Sequence, residues 1–241
     1  MRRLDRGMKA ILLSLFVALL MVGCVESPNP SGGVDMTDTA PKKDAIETAV
    51  DWSKLQDRDG VTYLPNTQEP FSGYAKRAYE NEQIKELAQF KDGYVVRIKK
   101  WYYNGTPKRE ATYKDGKREG LATEWYEDGL KKEERTYKDG KREGLTTEWY
   151  PNGQKVLKQN YKDGKLEGLR TEWHPNGQKL EEGNWKDDEQ DGLWTDWYEN
   201  GQKKSEENWK DGKLDGISIY YKKDGTEWYR TTYKDGVEVE D

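Results

Sequence analysis

Residues able to do covalent, acid–base or metal chemistry are few in this sequence, and they do not group. The chain has one cysteine, Cys24, and one histidine, His174, so it offers no intrachain disulfide and no histidine-based metal cluster. Carboxylates are abundant, but Glu148 has equivalents in other copies of a repeated segment, whereas a catalytic carboxylate needs one specially perturbed environment. We therefore predict no enzyme, no metal and no other cofactor, and we interpret His174 as a variant strand residue in the place of a tyrosine such as Tyr150.

Cys24 follows a segment with the features of an export signal. The segment begins with basic residues and continues as an apolar run, residues 10–22, that is too short to span a bilayer as a permanent helix. Its end, Leu20-Met21-Val22-Gly23-Cys24, resembles the lipobox of bacterial lipoproteins, with Met21 at a position where leucine is usual. The alternative interpretation is an ordinary secretory signal with an incidental cysteine.

The lipobox resemblance implies a particular processing and location. Residues 1–23 would be removed as a signal peptide, and Cys24 would carry diacylglycerol on its thiol. Val25, rather than an aspartate, follows the cysteine, which implies the outer membrane if the host has one. The implied location is the cell envelope outside the cytoplasm, where the lipid makes the membrane one partner of the protein.

Between Cys24 and the repeats, the sequence indicates a tether followed by a cap. Residues 24–53 are predicted to be a flexible tether, because residues 25–43 contain Pro, Ser and Gly and lack an apolar period, although residues 44–52 have the spacing of a short helix. Asp59-Gly60 lies between two short alternating runs, which is a strong signal for a β-hairpin. We expect residues 54–70 to form this capping hairpin and a loop, and to cover the first edge of the following array.

Residues 71–241 repeat one segment with a period of 24 residues. The repeat starts at six aromatic positions, which are Tyr113, Tyr137, Tyr161, Trp185, Trp209 and Tyr233. A copy of 23 residues precedes them from Phe90, and a more divergent copy begins at Phe71, so the segment holds about seven copies and a stub. Such a period is typical of an array in which each unit buries surface only against its neighbours.

Each repeat is predicted to be a β-hairpin. Residues 144–150 alternate and are rich in Thr and aromatic residues, and residues 154–161 form the second strand. Because Pro151 cannot donate a hydrogen bond, we prefer a three-residue turn with a left-handed Gly153, which pairs Trp149 with Lys155. The same kind of turn is predicted at residues 162–164. The predicted fold is therefore all-β, an elongated single-layer antiparallel meander of hairpin repeats twisted into a ribbon.

This register also assigns side chains to faces, because neighbours along a strand point to opposite sides. One face is predicted to contain Leu145, Thr147, Trp149 and Tyr161. The opposite face is predicted to contain Thr146, Glu148, Tyr150 and Gln154. Repetition turns the first face into rows, in which each tryptophan of a row is opposite a lysine from the row Lys131, Lys155, Lys179 and Lys203.

The bulk composition agrees with a sheet covered by rings rather than with an aliphatic core. Hydrophobic residues make up 33% of the chain and the mean hydropathy is −1.20, yet there are 10 Trp and 16 Tyr. The regular spacing of these rings argues against disorder, which a charged fraction of 36% could otherwise indicate. The net charge of −5 argues against nucleic acid as a partner.

The repeated Tyr-x-x-Gly, the aromatic strand and Asn-Gly resemble the MORN repeat. More closely, Gly-x-x-x-x-Trp-Tyr-x-Asn-Gly-Gln-Lys resembles its bacterial variant, found in proteins often labelled antitoxins. The resemblance covers about residues 71–241, with departures at Glu82, at Asp188-Glu189 and at Tyr220-Tyr221. It implies β-hairpin repeats, protein–protein contact and, in some eukaryotic members, association with membranes.

Three interpretations of function follow. The first is a lipid-anchored interaction or scaffold protein, which the fold and the anchor favour. The second is an antitoxin or immunity protein that binds one toxin; only the family label favours it, and an exported lipoprotein is poorly placed to neutralise a cytoplasmic toxin. The third is a cell-surface glycan-binding module, because rows of rings can stack on sugars.

We predict that a protein partner binds the face with the tryptophan row, because aromatic residues most often dominate binding energy. The candidate residues are Trp125, Trp149, Trp173, Trp197, Lys155 and Lys179. The alternative is that these rings only cover their own sheet beneath the lysines. Trp194 is the candidate on the second face, because the register sends it there and no other copy has a tryptophan at that position.

Overall fold

The computed structural model describes residues 43–239, so the predicted signal peptide, Cys24 and most of the predicted tether lie outside the described residues. The described chain begins with helix α1 (Lys43–Glu47), strand β1 (Val50–Asp51) and a 3-10 turn (Trp52–Lys54). The helix is shorter than the predicted residues 44–52, because Val50 and Asp51 extend and pair with the first repeat strand instead. Residues 43–53, predicted as the end of the tether, thus form secondary structure that contacts the array.

The segment predicted to form the capping hairpin contains strands β2 (Gln56–Arg58) and β3 (Val61–Tyr63), which pair in antiparallel across the Asp-Gly turn. Its position differs from the prediction, because it forms a separate two-stranded sheet. Thr62 donates its backbone N–H to the carbonyl of Gly93 (3.0 Å) and accepts from the N–H of Phe71 (2.8 Å). The hairpin therefore contacts a turn of the array, and the edge of the first repeat strand is covered by β1.

The remaining strands follow the chain through the repeats. They are β4 (Gly73–Ala78), β5 (Ile84–Lys91), β6 (Tyr94–Trp101), β7 (Pro107–Lys114), β8 (Lys117–Arg118), β9 (Gly120–Trp125), β10 (Lys131–Lys138), β11 (Lys141–Trp149), β12 (Lys155–Lys162), β13 (Lys165–Leu166), β14 (Gly168–Trp173), β15 (Lys179–Lys186), β16 (Glu189–Trp197), β17 (Lys203–Lys210), β18 (Lys213–Leu214), β19 (Gly216–Tyr221), β20 (Glu227–Lys234) and β21 (Val237–Val239). With β1 they form one 19-stranded sheet. Within residues 43–239 the pairs are antiparallel between neighbours along the chain, except that β1 pairs with β4 in parallel.

The turn within each repeat is the predicted three-residue turn. The N–H of Tyr150 donates to the carbonyl of Gln154 (2.8 Å), and the N–H of Gly153 donates back to the carbonyl of Tyr150 (2.9 Å). Gly153 is left-handed, with φ of 81°. Pro151 therefore lies at a position where no backbone donor is needed, and the predicted opposition of Trp149 and Lys155 is confirmed.

The turn between repeats differs from the prediction. Lys162 pairs directly with Lys165, so only Asp163 and Gly164 lie in the turn, and both have positive φ (51° and 91°). This is the type I′ geometry that Asp-Gly favours, and its twist matches the twist of the flanking strands. Because no proline precedes this turn, the flanking residue retains its N–H, and the reason that excluded a two-residue turn within the repeat does not apply here.

The face predicted for Tyr161 is wrong. The register shifts between Glu148 and Trp149, so Val156 is an extra residue in a β-bulge. Beyond the bulge, Tyr161 lies opposite Gly144, on the same face as Glu148. A single extra residue reverses the alternation of all the side chains that follow it, which is why a prediction without the bulge placed Tyr161 on the opposite side.

The pairing defines two faces, named here by their content. The tryptophan face of the middle repeat contains Leu145, Thr147, Trp149, Lys155, Lys158 and Asn160. The acidic face of the same repeat contains Thr146, Glu148, Leu157, Gln159 and Tyr161. The same pairing recurs in the neighbouring repeats, so each position becomes a row that crosses the sheet.

A small apolar core lies at the start of the array. It consists of Phe71, Ala75, Ala88 and Phe90, against which Val50, Trp52, Leu55, Leu64, Val95 and Ile98 pack. The Trp52 ring meets the Phe90 ring edge-on at 5.5 Å, so the segment before the repeats supplies part of this core. Farther along the sheet, the fully buried side chains include Thr146 and Ser218, in line with the predicted lack of a thick aliphatic core.

Successive repeats are joined by a row of tyrosine hydroxyls. Each hydroxyl donates to a backbone carbonyl of the next repeat at 2.7 to 2.9 Å, in the pairs Tyr79–Trp101, Tyr102–Trp125, Tyr126–Trp149, Tyr150–Trp173 and Tyr198–Tyr221. His174 occupies the tyrosine position of its repeat, and its Nε2 lies 3.3 Å from the carbonyl of Trp197. His174 is therefore a variant at the tyrosine position, as interpreted, although it lies one residue beyond the end of strand β14 rather than within it.

Replacing His174 with tyrosine is expected to stabilise the array by about 0.5–1 kcal/mol, because a hydroxyl at the shorter distance makes a better neutral hydrogen bond. Urea unfolding of the two proteins measures the difference. Tyr150→His is the matched control, which should cost a similar amount in the neighbouring repeat. A lower stability of His174→Tyr than of the wild type would contradict this account of the row.

Candidate interaction surface

The predicted candidate residues lie together on the tryptophan face, in one row. Lysines stand opposite the tryptophans as predicted, in the pairs Lys131–Trp125, Lys155–Trp149, Lys179–Trp173 and Lys203–Trp197. The ammonium groups, however, lie over rings of the following repeat: Lys131 over Trp149 (6.0 Å), Lys155 over Trp173 (5.7 Å) and Lys179 over Trp197 (5.2 Å). Each such contact is worth about 0.5–1 kcal/mol at an exposed site. The row therefore links repeats, and its rings are half-buried.

Exposed aliphatic side chains form a second row on this face. Its members are 36% to 50% exposed, and they are Leu121, Leu145, Leu169, Leu193 and Ile217. Each lies four residues before an aromatic residue on the same strand, roughly 13 Å away, and successive members are roughly 10 Å apart across the sheet. The sequence places this row on the correct face, but the structure shows that the leucines, rather than the rings, are the open apolar groups.

In three repeats, the charges on the tryptophan face are balanced over short distances. Lys131 pairs with Glu134 at 2.6 Å, and Lys179 pairs with Glu182 at 2.7 Å, in each case three residues along the same strand. Lys203 pairs with Glu206 in the same way. Lys131 and Lys179 thus neutralise a carboxylate of their own strand while covering the ring of the next repeat.

Trp194, the candidate on the second face, does lie on the acidic face, but it is only 6% exposed. It stands opposite Gly183, and a Cβ at Gly183 would lie 1.9 Å from its ring. The ring meets that of Trp185 edge-on at 5.8 Å, and its Nε1 donates to Asp196 (3.2 Å). Trp194 fills the space that Gly183 leaves, so little of it is open to a partner. The sequence signal for this packing was Gly183, which has no side chain at the position opposite Trp194.

Two rows of carboxylates cross the acidic face, a feature that sequence reasoning missed. Directly opposite one another on neighbouring strands are Glu124, Glu133 and Glu148, and, farther along, Glu172, Glu181 and Asp196. Arginines of the same face pair with these carboxylates: Arg109 with Glu124, Arg135 with Glu133, and Arg170 with Glu172 and Glu181. Directly opposed like charges destabilise a sheet, so these rows are a local cost that the arginines offset only in part.

The environment of Glu133 favours its protonated form. Burial raises the pKa of this carboxyl, Arg135 lowers it, and Glu148 and Glu124 raise it further, with a net upward direction. Burial likewise raises the pKa of Glu181, with Glu172 adding to the rise. Glu133 borders a cleft of about 280 Å³ whose walls include Tyr126 and Trp149. Residues 43–239 contain no group of three or more His, Cys, Asp or Glu side chains placed to hold a metal ion.

The raised pKa of Glu133 predicts a pH dependence of stability. Because the folded state holds this proton more tightly than the unfolded chain, the carboxyl stabilises the fold below its ordinary pKa of 4.5, and that contribution is lost as pH rises through the raised value. We expect Glu133→Gln to reduce the fall in unfolding free energy above pH 4.5. Urea unfolding from pH 4.5 upward measures it, with Glu134→Gln on the opposite face as the control for removing one carboxylate. An identical pH profile for wild type and Glu133→Gln would refute the prediction.

The described residues thus define a tandem array of β-hairpin repeats on one sheet. Five consecutive segments match the family model of the MORN repeat variant, namely residues 96–115, 118–139, 142–163, 166–187 and 190–211. The repeats of about 24 residues are therefore similar to MORN repeats, which generally mediate contact with proteins or membranes and are not an enzyme family. A comparison with curated proteins found no match. Within residues 43–239, no helix has the length and apolar character needed to span a membrane.

Proposed function

We propose that the protein is a non-enzymatic, lipid-anchored scaffold of the cell envelope that binds another protein through its tryptophan face. The observation that carries the proposal is the row of exposed aliphatic side chains, Leu121 to Ile217, on a face whose rings are already covered by lysines. Regularly spaced apolar groups that the chain itself leaves open are typical of an interaction surface.

The two faces differ in what they offer a partner. On the acidic face, Thr146, Leu157 and Gln159 are buried, and Arg135 and Arg170 are engaged in ion pairs. On the tryptophan face, the half-buried rings form a rigid platform, and the leucines stand out from it. A partner that covers this face would remove apolar surface from water, which contributes about 25 cal/mol of binding free energy per Å². It would not need to displace the buried side chains and ion pairs of the acidic face. The tryptophan face is therefore the better binding surface.

In-cell photocrosslinking tests the choice of face. A photoreactive amino acid at Leu121 lies on the tryptophan face, and the same amino acid at Ala122, the next residue, lies on the acidic face. We expect a discrete covalent adduct from position 121 and none from position 122. Adducts from position 122 alone would overturn the proposal.

The second part of that test measures the affinity of the array for the protein that is crosslinked at position 121. The double variant Leu145→Ser, Leu169→Ser should bind it about tenfold more weakly, because two half-exposed leucines are lost from the contact. Its thermal unfolding should change little, since both side chains are exposed in the free protein. Unchanged affinity would show that the leucine row is not the contact.

The lipid anchor is tested separately. Cys24 is the sole cysteine of the chain and follows an apolar run and Gly23. We expect Cys24→Ser to move the protein from the membrane fraction to the soluble fraction of lysed cells, and to abolish labelling by a radioactive fatty acid. A variant that stays in the membrane fraction and keeps the label would rule out an anchor at this residue.

A further inference from the structure

The middle repeat departs from the charge pattern of the tryptophan face. In three other repeats, the lysine that stands opposite the tryptophan is followed, three residues later, by the glutamate that pairs with it. The last repeat holds the same pair in reverse, with Glu227 and Arg230 at 2.9 Å. The middle repeat has Lys155 and, three residues later, Lys158. This repeat therefore presents two positive charges where those repeats present a neutral pair.

The residues directly opposite Lys158 carry no charge, and the glutamates of the next strands, Glu134 and Glu182, are paired with other lysines. On the neighbouring strands it stands opposite Thr147 and Thr171, both of which are buried. Lys158 itself is exposed, and within residues 43–239 its ammonium makes no hydrogen bond or ion pair. The ammonium of Lys155 lies over the ring of Trp173 and pairs with no carboxylate of the described residues. The excess charge of this repeat is thus not neutralised within the fold.

Two exposed leucines flank Lys158. Leu145 is two residues from Thr147, and Leu169 is two residues from Thr171, so both are diagonal neighbours of Lys158 at roughly 7–8 Å. Both belong to the exposed aliphatic row and are more than 40% exposed. An open ammonium between two open apolar side chains is a surface complementary to a carboxylate between two apolar residues.

We propose that the middle repeat, at Lys155 and Lys158, is where an acidic segment of the protein partner binds, with carboxylates on the lysines and apolar side chains on Leu145 and Leu169. This inference rests on the proposed function and adds the chemistry of the partner to it. Charge complementarity selects and orients such a segment more than it adds affinity, because an unpaired lysine repels a basic segment that the leucines alone would accept.

Synthetic peptides test the inference on the full-length chain solubilised in detergent. One fluorescein-labelled peptide has a Glu-Glu pair between leucines, and the matched peptide has Gln-Gln at the same place. We expect the wild type to bind the Glu peptide about fivefold more tightly at low salt, because two exposed ion pairs form. Fluorescence anisotropy at low and high salt measures this preference, which should fall as salt rises.

Two variants make the test specific to Lys158. Lys158→Glu gives the middle repeat the pair found in its neighbours, so it should fold normally and lose the preference for the Glu peptide. Glu182→Lys copies the middle repeat into the next one and should strengthen binding of the Glu peptide. Circular dichroism and thermal unfolding of both variants confirm that the fold is kept.

The outcomes separate this inference from the proposed function. Equal binding of both peptides by the wild type, or an unchanged preference in Lys158→Glu, overturns the acidic partner but leaves the face intact if Leu145→Ser still weakens peptide binding. Binding that does not depend on Leu145 counts against the face itself. Vesicles with anionic lipid that bind the wild type but not Lys158→Glu, without any peptide preference, would assign the lysines to a membrane surface and also overturn the inference.

Discussion

Gly183→Ala is expected to lower the free energy of unfolding by about 3 kcal/mol, at the upper end of the cost of overpacking. The added Cβ would lie 1.9 Å from Cε3 of Trp194, a distance at which the ring must move. The ring has little room, because it is buried against Trp185 and its Nε1 is bonded to Asp196. The cost arises from this contact, so it should appear in urea or thermal unfolding of the otherwise unchanged protein.

A second substitution identifies the cause. Trp194→Thr introduces the residue that the middle repeat has at this position, Thr146, and Gly183→Gln introduces Gln159, the residue that lies 24 positions before Gly183. In the Trp194→Thr background, Gly183→Gln should therefore be tolerated, whereas Gly183→Gln alone should be at least as harmful as Gly183→Ala. A double variant no more stable than Gly183→Gln alone would show that the two residues do not compensate each other.

Removal of the central ring is the second large effect. We expect Trp149→Ala to cost about 2 kcal/mol, less than the 3–5 kcal/mol typical of a fully buried aromatic residue, because the ring is half-buried. The Trp149 ring lies under Lys131 of the preceding repeat, and the residue stands opposite Lys155 in its own hairpin, so its loss disturbs both the interface with the preceding repeat and the hairpin itself. The unfolding transition should remain cooperative but shift to a lower urea concentration.

Tyr221→Ala is the matched variant, because Tyr221 occupies the tryptophan position of a later repeat. Its hydroxyl donates to Glu206 (2.6 Å). Tyr221 stands opposite Glu227, however, so its repeat has no lysine at the position that Lys155 holds in the middle repeat. We expect roughly half the loss seen for Trp149→Ala, since fewer contacts between repeats depend on this ring. Equal midpoint shifts for the two variants would contradict the nearest-neighbour description of the array.

The strands and turns of the repeat depend on local chemistry, so they can be predicted from the sequence. The period of 24 residues gives the hairpins, and the proline before Asn152-Gly153 selects the three-residue turn, since it removes a donor that a two-residue turn would need. That turn also sets Trp149 opposite Lys155. The candidate tryptophans and lysines were placed on one face for the same reason, because a strand side chain's direction is fixed by its distance from a known pair.

The tertiary structure alone decided the features that depend on more than one strand. The bulge at Val156 moves Tyr161 to the acidic face, because an extra residue is set by how two strands pair and not by either strand alone. Lys131, Lys155 and Lys179 each reach the ring of the next repeat, since that ring is the one within range of the long side chain. The carboxylate row through Glu133 forms only when three strands are in register. Burial of Trp194 depends in the same way on the missing side chain across the sheet, so its role as packing residue follows from the pairing and not from its own strand.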